Sequence, residues 1–103
     1  MIELLAIPAW NTVPRTLGDW TDALAALGHQ PTIGREDQET WLEVAPLRLR
    51  GYVALEGQSV EAINFELYDQ DTEPASQLLA AAAQALGWEL HPDEPDEDDL
   101  DED

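Results

Sequence analysis

The chain has 103 residues with 44% apolar content, which indicates one globular domain with a modest core. It carries 23 acidic residues against four arginines, a formal net charge of −19, so we expect neither nucleic acid nor an anionic membrane as a partner. The chain has no cysteine, which excludes disulfides, zinc–thiolate sites, iron–sulfur clusters and thiol nucleophiles.

The first element is a short apolar run over residues 2–7 that ends at a proline, which predicts a buried strand. The loop at 8–14 has a proline at each end and contains Trp10. We expect Trp10 to fold back over the helix ends, and the alternative is a lip over a pocket shared with Trp20 or Trp88. The N-terminal segment lacks the basic region of a signal peptide, so we expect a cytoplasmic protein.

A helix is predicted after this loop, with Thr16 as its N-cap and Asp19 completing a capping box. Gly28 is expected to end the helix in a left-handed conformation. The predicted buried stripe of this helix consists of Leu17, Trp20, Leu24 and Leu27. Residues 29–39 are polar without periodicity, and they predict a connection that contains at most a short irregular strand.

Between residues 40 and 68 the hydrophobic period changes to two, the pattern of half-buried strands. The pattern occurs three times, in TWLEVA, LRLRGYVALE and VEAINFELY. A three-residue turn, Gly57-Gln58-Ser59, is predicted to join the last two strands as a hairpin.

The second helix is predicted to begin at Asp71 or Thr72 and to end at Gly87. Its predicted inward stripe consists of Leu78, Leu79, Ala82 and Leu86. Trp88 and Leu90 then alternate with polar residues in a short final strand. Residues 92–103 hold almost nothing apolar, and 93–103 contain nine of the acidic residues, so a disordered acidic tail is predicted.

The predicted order is β-α-β-β-β-α-β, which indicates an α+β fold. We expect a two-layer sandwich, an antiparallel sheet with two helices on one face, as a single domain over 1–91 followed by the tail at 92–103. If the strand at Trp41 is an edge addition, the remainder is βαββαβ, the ferredoxin-like arrangement.

The alternation also predicts which residues lie opposite each other, because a slip of one residue would turn the apolar set outward. In the predicted registers Glu43, Arg50 and Glu66 are neighbours in one row across the sheet. A second row contains Trp41, Tyr52 and Asn64. The candidate interaction face on the helix-free side is Trp41, Glu43, Arg48, Arg50, Tyr52, Asn64, Glu66 and Tyr68.

Two interpretations of this face stay open at the level of sequence. The arginines are counter-ions in a structural charge ladder, or the aromatic residues and arginine form a protein interface. The aromatic residues could equally be covered by the 29–39 loop, by a partner or by a second copy of the chain.

Residues that could support catalysis are scattered. Ser59 and Ser76 have no histidine nearby in sequence, and His29 and His91 are expected at element ends. The acidic stretch at 69–73 lacks the glycine and distal glutamate of a calcium loop, and no phosphate-binding glycine loop is present. We therefore expect no enzymatic activity, no cofactor and no fixed metal site.

Taken together, the sequence predicts a non-enzymatic acidic interaction module that binds a basic protein surface, as an inhibitor, an immunity-like protein or a regulator. The tail would act as an electrostatic arm. The alternative from another class is a ligand-sensing or oligomerising ferredoxin-like domain that forms a homodimer through its open sheet face. An accessory chain with no independent activity is a third hypothesis.

Overall fold

The computed structural model describes residues 2–10, 12–37 and 39–92. Within them the chain forms six strands, two α-helices and a short 3₁₀ helix. The elements are β1 (Ile2–Pro8), α1 (Leu17–Ala26), β2 (Thr32–Glu36), β3 (Glu39–Val44), the 3₁₀ helix (Ala45–Leu47), β4 (Leu49–Glu56), β5 (Ser59–Leu67), α2 (Glu73–Leu86) and β6 (Trp88–Pro92).

The strands form one sheet in the order β2-β3-β4-β5-β1-β6, and all neighbouring strands are antiparallel. The predicted α+β class, with an antiparallel sheet and two helices, is confirmed. The ferredoxin-like arrangement is not confirmed, because the number of strands and their order differ from those of the four-stranded sheet. The segment predicted as a largely irregular connection contains β2, a regular edge strand.

The predicted capping box of α1 is present. Asp19 N donates to Thr16 Oγ1 at 3.2 Å, and Thr16 N donates to Asp19 Oδ2 at 2.9 Å. At the other end Gly28 has φ +96° and His29 N donates to the Leu24 carbonyl at 3.0 Å, a Schellman-type ending. The predicted burial of Leu27 is wrong. Leu27 is the C-cap residue, where the helix ends, and its side chain is 43% exposed.

The second helix begins where Asp71 Oδ1 accepts a hydrogen bond from Glu73 N at 3.1 Å, and it ends at Gly87 with φ +76°. Its buried stripe includes all four predicted residues together with Ala75 and Ala83. Ala75 and Ala83 lie on the same inward side of α2 and belong to the buried core. Neither helix of the described ranges is long and apolar enough to cross a membrane.

The core lies between the two helices and one face of the sheet. Trp20 of α1 is fully buried, with its ring centroid 5.7 Å from that of Phe65 on β5. Trp88 of β6 meets Trp20 edge to face at 5.3 Å. Both helices therefore cover the sheet face that carries Ile63, Phe65 and Leu67, and the described residues place no helix on the opposite face.

The β4–β5 hairpin differs from the prediction at its tip. Pairing continues in the predicted register from Leu49↔Leu67 to Ala54↔Ala62 and then shifts, so that Glu56 lies opposite Ser59. A β-bulge at Glu61 takes up the extra residue, which leaves a two-residue turn at 57–58 instead of three residues. Gly57 has φ +63°, a conformation that glycine adopts without strain. Downstream of the shift Leu55 is 37% exposed, although the alternation predicts it inside.

Trp10 does not fold back over the helices, because hydrogen bonds orient its loop so that the side chain points into solvent. Ala9 N and Thr12 Oγ1 both donate to the Gly87 carbonyl, at 3.3 and 2.8 Å, and Thr12 N donates to the Ala9 carbonyl at 3.2 Å. The turn projects Trp10 into solvent with 92% of its surface exposed, so both predictions for Trp10 are wrong. The suggested pocket partners Trp20 and Trp88 are buried in the core.

The last strand reaches Pro92, one residue further than the alternation of Trp88 and Leu90 indicates. Pro92 lies opposite Leu4 of β1 and therefore belongs to the sheet, not to the tail. The rest of the predicted disordered acidic tail, residues 93–103, lies outside the described residues.

Candidate interaction face

The helix-free side of the sheet is built by the residues that alternate with the core set, and we call it the open face. Across β3, β4 and β5 the observed pairs are Glu43↔Arg50↔Glu66 and Trp41↔Tyr52↔Asn64. These are the registers predicted from the alternation, because a slip of one residue would have exposed Leu42, Val44 or Phe65. Six of the eight predicted face residues are therefore neighbours in two rows.

Both rows continue onto strands that the sequence analysis did not assign to the face. The charged row, from edge to edge, is Thr32, Glu43, Arg50, Glu66 and Glu3. The aromatic row is Gly34, Trp41, Tyr52, Asn64, Leu5 and His91. The contribution of β1 was missed because its run of apolar residues predicts burial on both sides. In the structure only Ala6 of that strand is fully buried, and the single acid Glu3 was the available signal.

Arg50 is held mainly from the β3 side. Its Nη2 lies 3.5 Å from Glu43 Oε1, and its guanidinium carbon lies 5.7 Å from the centroid of the Trp41 ring, within the range of a cation–π contact. The Tyr52 hydroxyl and Glu43 raise the pKa of Arg50 above its usual value. The side chains of Arg50 and Glu43 are 37% and 38% exposed, so this ion pair adds little to folding stability.

The other predicted counter-ion of Arg50 is engaged elsewhere. Glu66 accepts a hydrogen bond from the hydroxyl of Tyr68, which lies two residues later in the chain. This bond, together with partial burial, raises the pKa of Tyr68 well above the usual tyrosine range. The strand register therefore places Arg50 between Glu43 and Glu66, as predicted. The ion pair of its side chain is with Glu43.

Arg48 is not a strand residue, in contrast to the prediction that it shares an outward strand face with Arg50. It follows the 3₁₀ helix with φ +51°, ψ +51°, a left-handed conformation that reverses the chain into β4. Arg48 N donates to the Ala45 carbonyl at 3.0 Å, and Tyr68 N donates to the Arg48 carbonyl at 2.9 Å. Arg48 and Tyr68, both members of the predicted face, are therefore joined through the backbone, and the Arg48 side chain is exposed at the rim of the sheet.

Trp41 lies over a glycine on the edge strand. Gly34 is directly opposite Trp41, and a methyl group at Gly34 would overlap the indole ring at Cε2, Cζ2 and Nε1. An aromatic side chain laid across a strand glycine covers backbone that would otherwise be exposed. Gly34 thus sets the position of the Trp41 ring, which in turn lies beneath the Arg50 guanidinium.

Metal-binding groups are not assembled among residues 2–10, 12–37 and 39–92. No three or more histidine or acidic side chains of that part of the chain are arranged to hold a metal ion. His91 Nε2 lies 2.9 Å from Glu89 Oε1 on the open face. At the hairpin tip Glu56 lies close enough to Glu61 to raise the pKa of Glu61, which is the usual effect of two neighbouring carboxylates.

Comparisons with protein-family models, with curated proteins and with solved structures find no match for this chain.

Proposed function

We propose that this protein is a non-enzymatic, acidic interaction module that binds a basic protein partner through its open face. The observation that carries this proposal is the composition of the two rows. An aromatic and apolar strip runs beside a row that contains three carboxylates and one guanidinium, on the sheet face opposite the helices.

The aromatic row supports the role of an anchor. Trp41 and Tyr52 are directly opposite each other and half-buried, so their rings are held in place while part of their surface stays available. Rings of this kind lose little conformational entropy on binding, and tryptophan, tyrosine and arginine dominate the energetic centres of protein interfaces. Leu5 extends the strip beyond Asn64 toward β6.

The charged row supports a positively charged partner. Glu3, Glu43 and Glu66 present three carboxylates against Arg50, and the whole chain has a net charge of −19. A partner whose apolar surface is bordered by lysine or arginine would find complementary charge next to the aromatic strip. The long-range field would also accelerate its association, an effect that salt screens.

A homodimer through the same face is the second candidate, since a sheet face with aromatic residues can pair with its own copy. A twofold interface would bring the charged rows of two chains together, each chain with a charge of −19. Like charges at short range oppose this assembly, which is why the basic partner is favoured. The two candidates respond to salt in opposite directions: added salt weakens binding of a basic partner and strengthens association of two acidic chains.

We also propose that β4, β5, β1 and β6, with the two helices, form a ferredoxin-like βαββαβ core to which the β2–β3 hairpin is added. The support is the neighbour order β4-β5-β1-β6 within the sheet. An added hairpin should open independently, so amide hydrogen exchange is expected to be faster in β2 and β3 than in β4 and β5. Equal protection throughout the sheet would contradict this proposal.

The test of function is affinity capture from the producing cells at low and high salt, followed by binding measurements with the purified partner. Trp41→Ala removes the anchor, and Gly34→Ala displaces the same ring without removing it. Trp10→Ala is the matched control, because it deletes an indole that is 92% exposed and lies outside both rows. We expect the first two variants to weaken binding at least tenfold and the control to leave binding unchanged.

Two results would contradict the proposal. One is a captured partner whose affinity is the same for wild type and both face variants. The other is self-association that increases with salt and is lost in Trp41→Ala, which would support the homodimer instead. Sedimentation of the purified chain across a salt series distinguishes this second result.

A further inference from the structure

A cleft of about 430 Å³ opens at the rim of the open face, where the β3–β4 connection meets the end of β5. It is lined by Glu43, Ala45, Arg48, Leu49, Arg50 and Tyr68. Two of the four arginines of the chain therefore border one small cavity. Its volume lies in the range of small-molecule sites.

Backbone hydrogen bonds fix the conformation of Arg48 at the edge of the cleft. Arg48 is held in a left-handed conformation, which costs a non-glycine residue about 1 kcal/mol or more. The hydrogen bonds of its N–H to Ala45 and of its carbonyl to Tyr68 maintain that conformation. The direction in which the Arg48 side chain leaves the backbone is thus set by the fold.

The two guanidiniums differ in their engagement. Arg50 contacts Glu43 at 3.5 Å and lies over Trp41, whereas Arg48 has no ion-pair partner among the described residues. A guanidinium carries five N–H donors in a fork that matches a carboxylate, and the contacts of Arg50 with Glu43 and the Tyr52 hydroxyl do not use all five. The arginines that line the cleft can therefore donate hydrogen bonds to a carboxylate.

The same cleft also contains a carboxylate of its own, which determines the overall charge of a suitable ligand. Glu43 and the net charge of −19 oppose a free anion such as phosphate, and the two arginines oppose a simple cation. A zwitterion avoids both penalties. In an α-amino acid the amine nitrogen and the carboxyl carbon are roughly 2.5 Å apart, from bond lengths of about 1.5 Å. The two charges of an amino acid are therefore close enough together to meet Arg50 and Glu43 at the same time, since the Nη2 and Oε1 atoms of those side chains are 3.5 Å apart.

We propose that this cleft binds a free α-amino acid with an apolar or aromatic side chain. Its carboxylate lies against Arg48 and Arg50, its ammonium group lies against Glu43, and its side chain contacts the Tyr68 ring and the Ala45 methyl group. The proposal is independent of the basic partner, because it concerns a ligand that needs only the isolated chain.

The test is a titration of the full chain, observed by ¹⁵N–¹H NMR, with four probes: L-phenylalanine, 3-phenylpropionate, 2-phenylethylamine and inorganic phosphate. We expect saturable shifts of the Arg48, Arg50 and Tyr68 signals with phenylalanine, and binding at least tenfold weaker for the three other probes. Arg48→Gln should weaken phenylalanine binding at least tenfold, since it removes the guanidinium and keeps a polar side chain. Arg35→Gln is the matched control, because Arg35 is exposed on β2 and does not line the cleft.

Three results would overturn the proposal. Equal binding of 3-phenylpropionate and phenylalanine would indicate a carboxylate site in which Glu43 has no role. Tighter binding of phosphate would indicate a general anion site. Absence of saturation with phenylalanine, or equal losses in Arg48→Gln and Arg35→Gln, would show that the cleft is not a site for amino acids. None of these results depends on whether a basic partner exists.

Discussion

Replacement of Gly51 by alanine should destabilise the fold, although alanine is normally the better strand residue. Gly51 lies on the core side of β4, directly opposite Phe65, whose ring leans across it. A Cβ at this position would lie 2.6 Å from Phe65 Cε1 and 2.8 Å from Ile63 Cγ2. Carbon atoms in contact are normally about 3.5–4.0 Å apart. Phe65 and Ile63 are fully buried, so neither can move aside without disturbing the core.

The expected magnitude follows from two opposing contributions. Removing a glycine from a strand gains roughly 0.5–1 kcal/mol by reducing the entropy of the unfolded chain. Overpacking a close-packed core costs about 1–3 kcal/mol. At the middle of both ranges the net loss in free energy of unfolding is about 1 kcal/mol, which lowers Tm by about 4–8 °C in a domain of this size.

Urea unfolding monitored by circular dichroism measures this loss, and the m-value should stay unchanged. Gly51→Ala combined with Phe65→Leu is the informative control, because leucine removes the ring that the new methyl group would meet. We expect the double variant to be less destabilised than the sum of the two single variants. A Gly51→Ala variant as stable as wild type would refute the close contact, and so would additivity within about 0.5 kcal/mol.

Three further outcomes are expected. Glu61→Gln should stabilise the protein at neutral pH. Because the pKa of Glu61 is raised in the fold, the wild type loses stability as the pH rises above the unfolded pKa near 4.5. Equal pH profiles of the two proteins in urea unfolding from pH 4 to 8 would contradict this. In a Tyr52→Phe background, ultraviolet titration should show that Tyr68 ionises above the usual tyrosine range. Glu66→Gln should lower the pH midpoint of this ionisation. A midpoint that Glu66→Gln leaves unchanged would contradict the assigned hydrogen bond. Thr16→Ala should reduce the free energy of unfolding by about 1 kcal/mol, through loss of the capping box, and a loss below about 0.3 kcal/mol in denaturant melts would show that the cap contributes little.

Registers in this sheet were predictable because burial on one face makes them unambiguous. A slip of one residue between β3, β4 and β5 would turn Leu42, Leu49 or Phe65 away from the helices, and the short connections between these strands disfavour longer slips. The rows of the open face follow automatically from that alignment. The capping box of α1 was predictable for a similar reason, since the spacing of Thr16 and Asp19 is local and matches one geometry.

The features that escaped prediction depend on contacts distant in sequence or on rare backbone conformations. The edge strand β2 has no alternation, because most of its residues are exposed and Gly34 lies beneath Trp41. Arg48 reads as a strand residue by its position between leucines, yet it has a positive φ value that few arginines adopt. Trp10 is exposed because hydrogen bonds to Gly87, at the far end of α2, orient its loop.

Under the proposed function, the two electrostatic elements of the chain should act on different rate constants. The tail at 93–103 carries nine acidic residues, and truncation after Pro92 removes none of the described strand residues. Charges that act at a distance mainly change association, and they are screened beyond about 8 Å at physiological salt. The ring of Trp41 acts only in contact, so its removal should change dissociation. The truncated chain should therefore bind the partner with slower association and a weaker salt dependence, while Trp41→Ala should dissociate faster at every salt concentration. A truncation that accelerates dissociation as much as Trp41→Ala does would show that the tail itself contacts the partner.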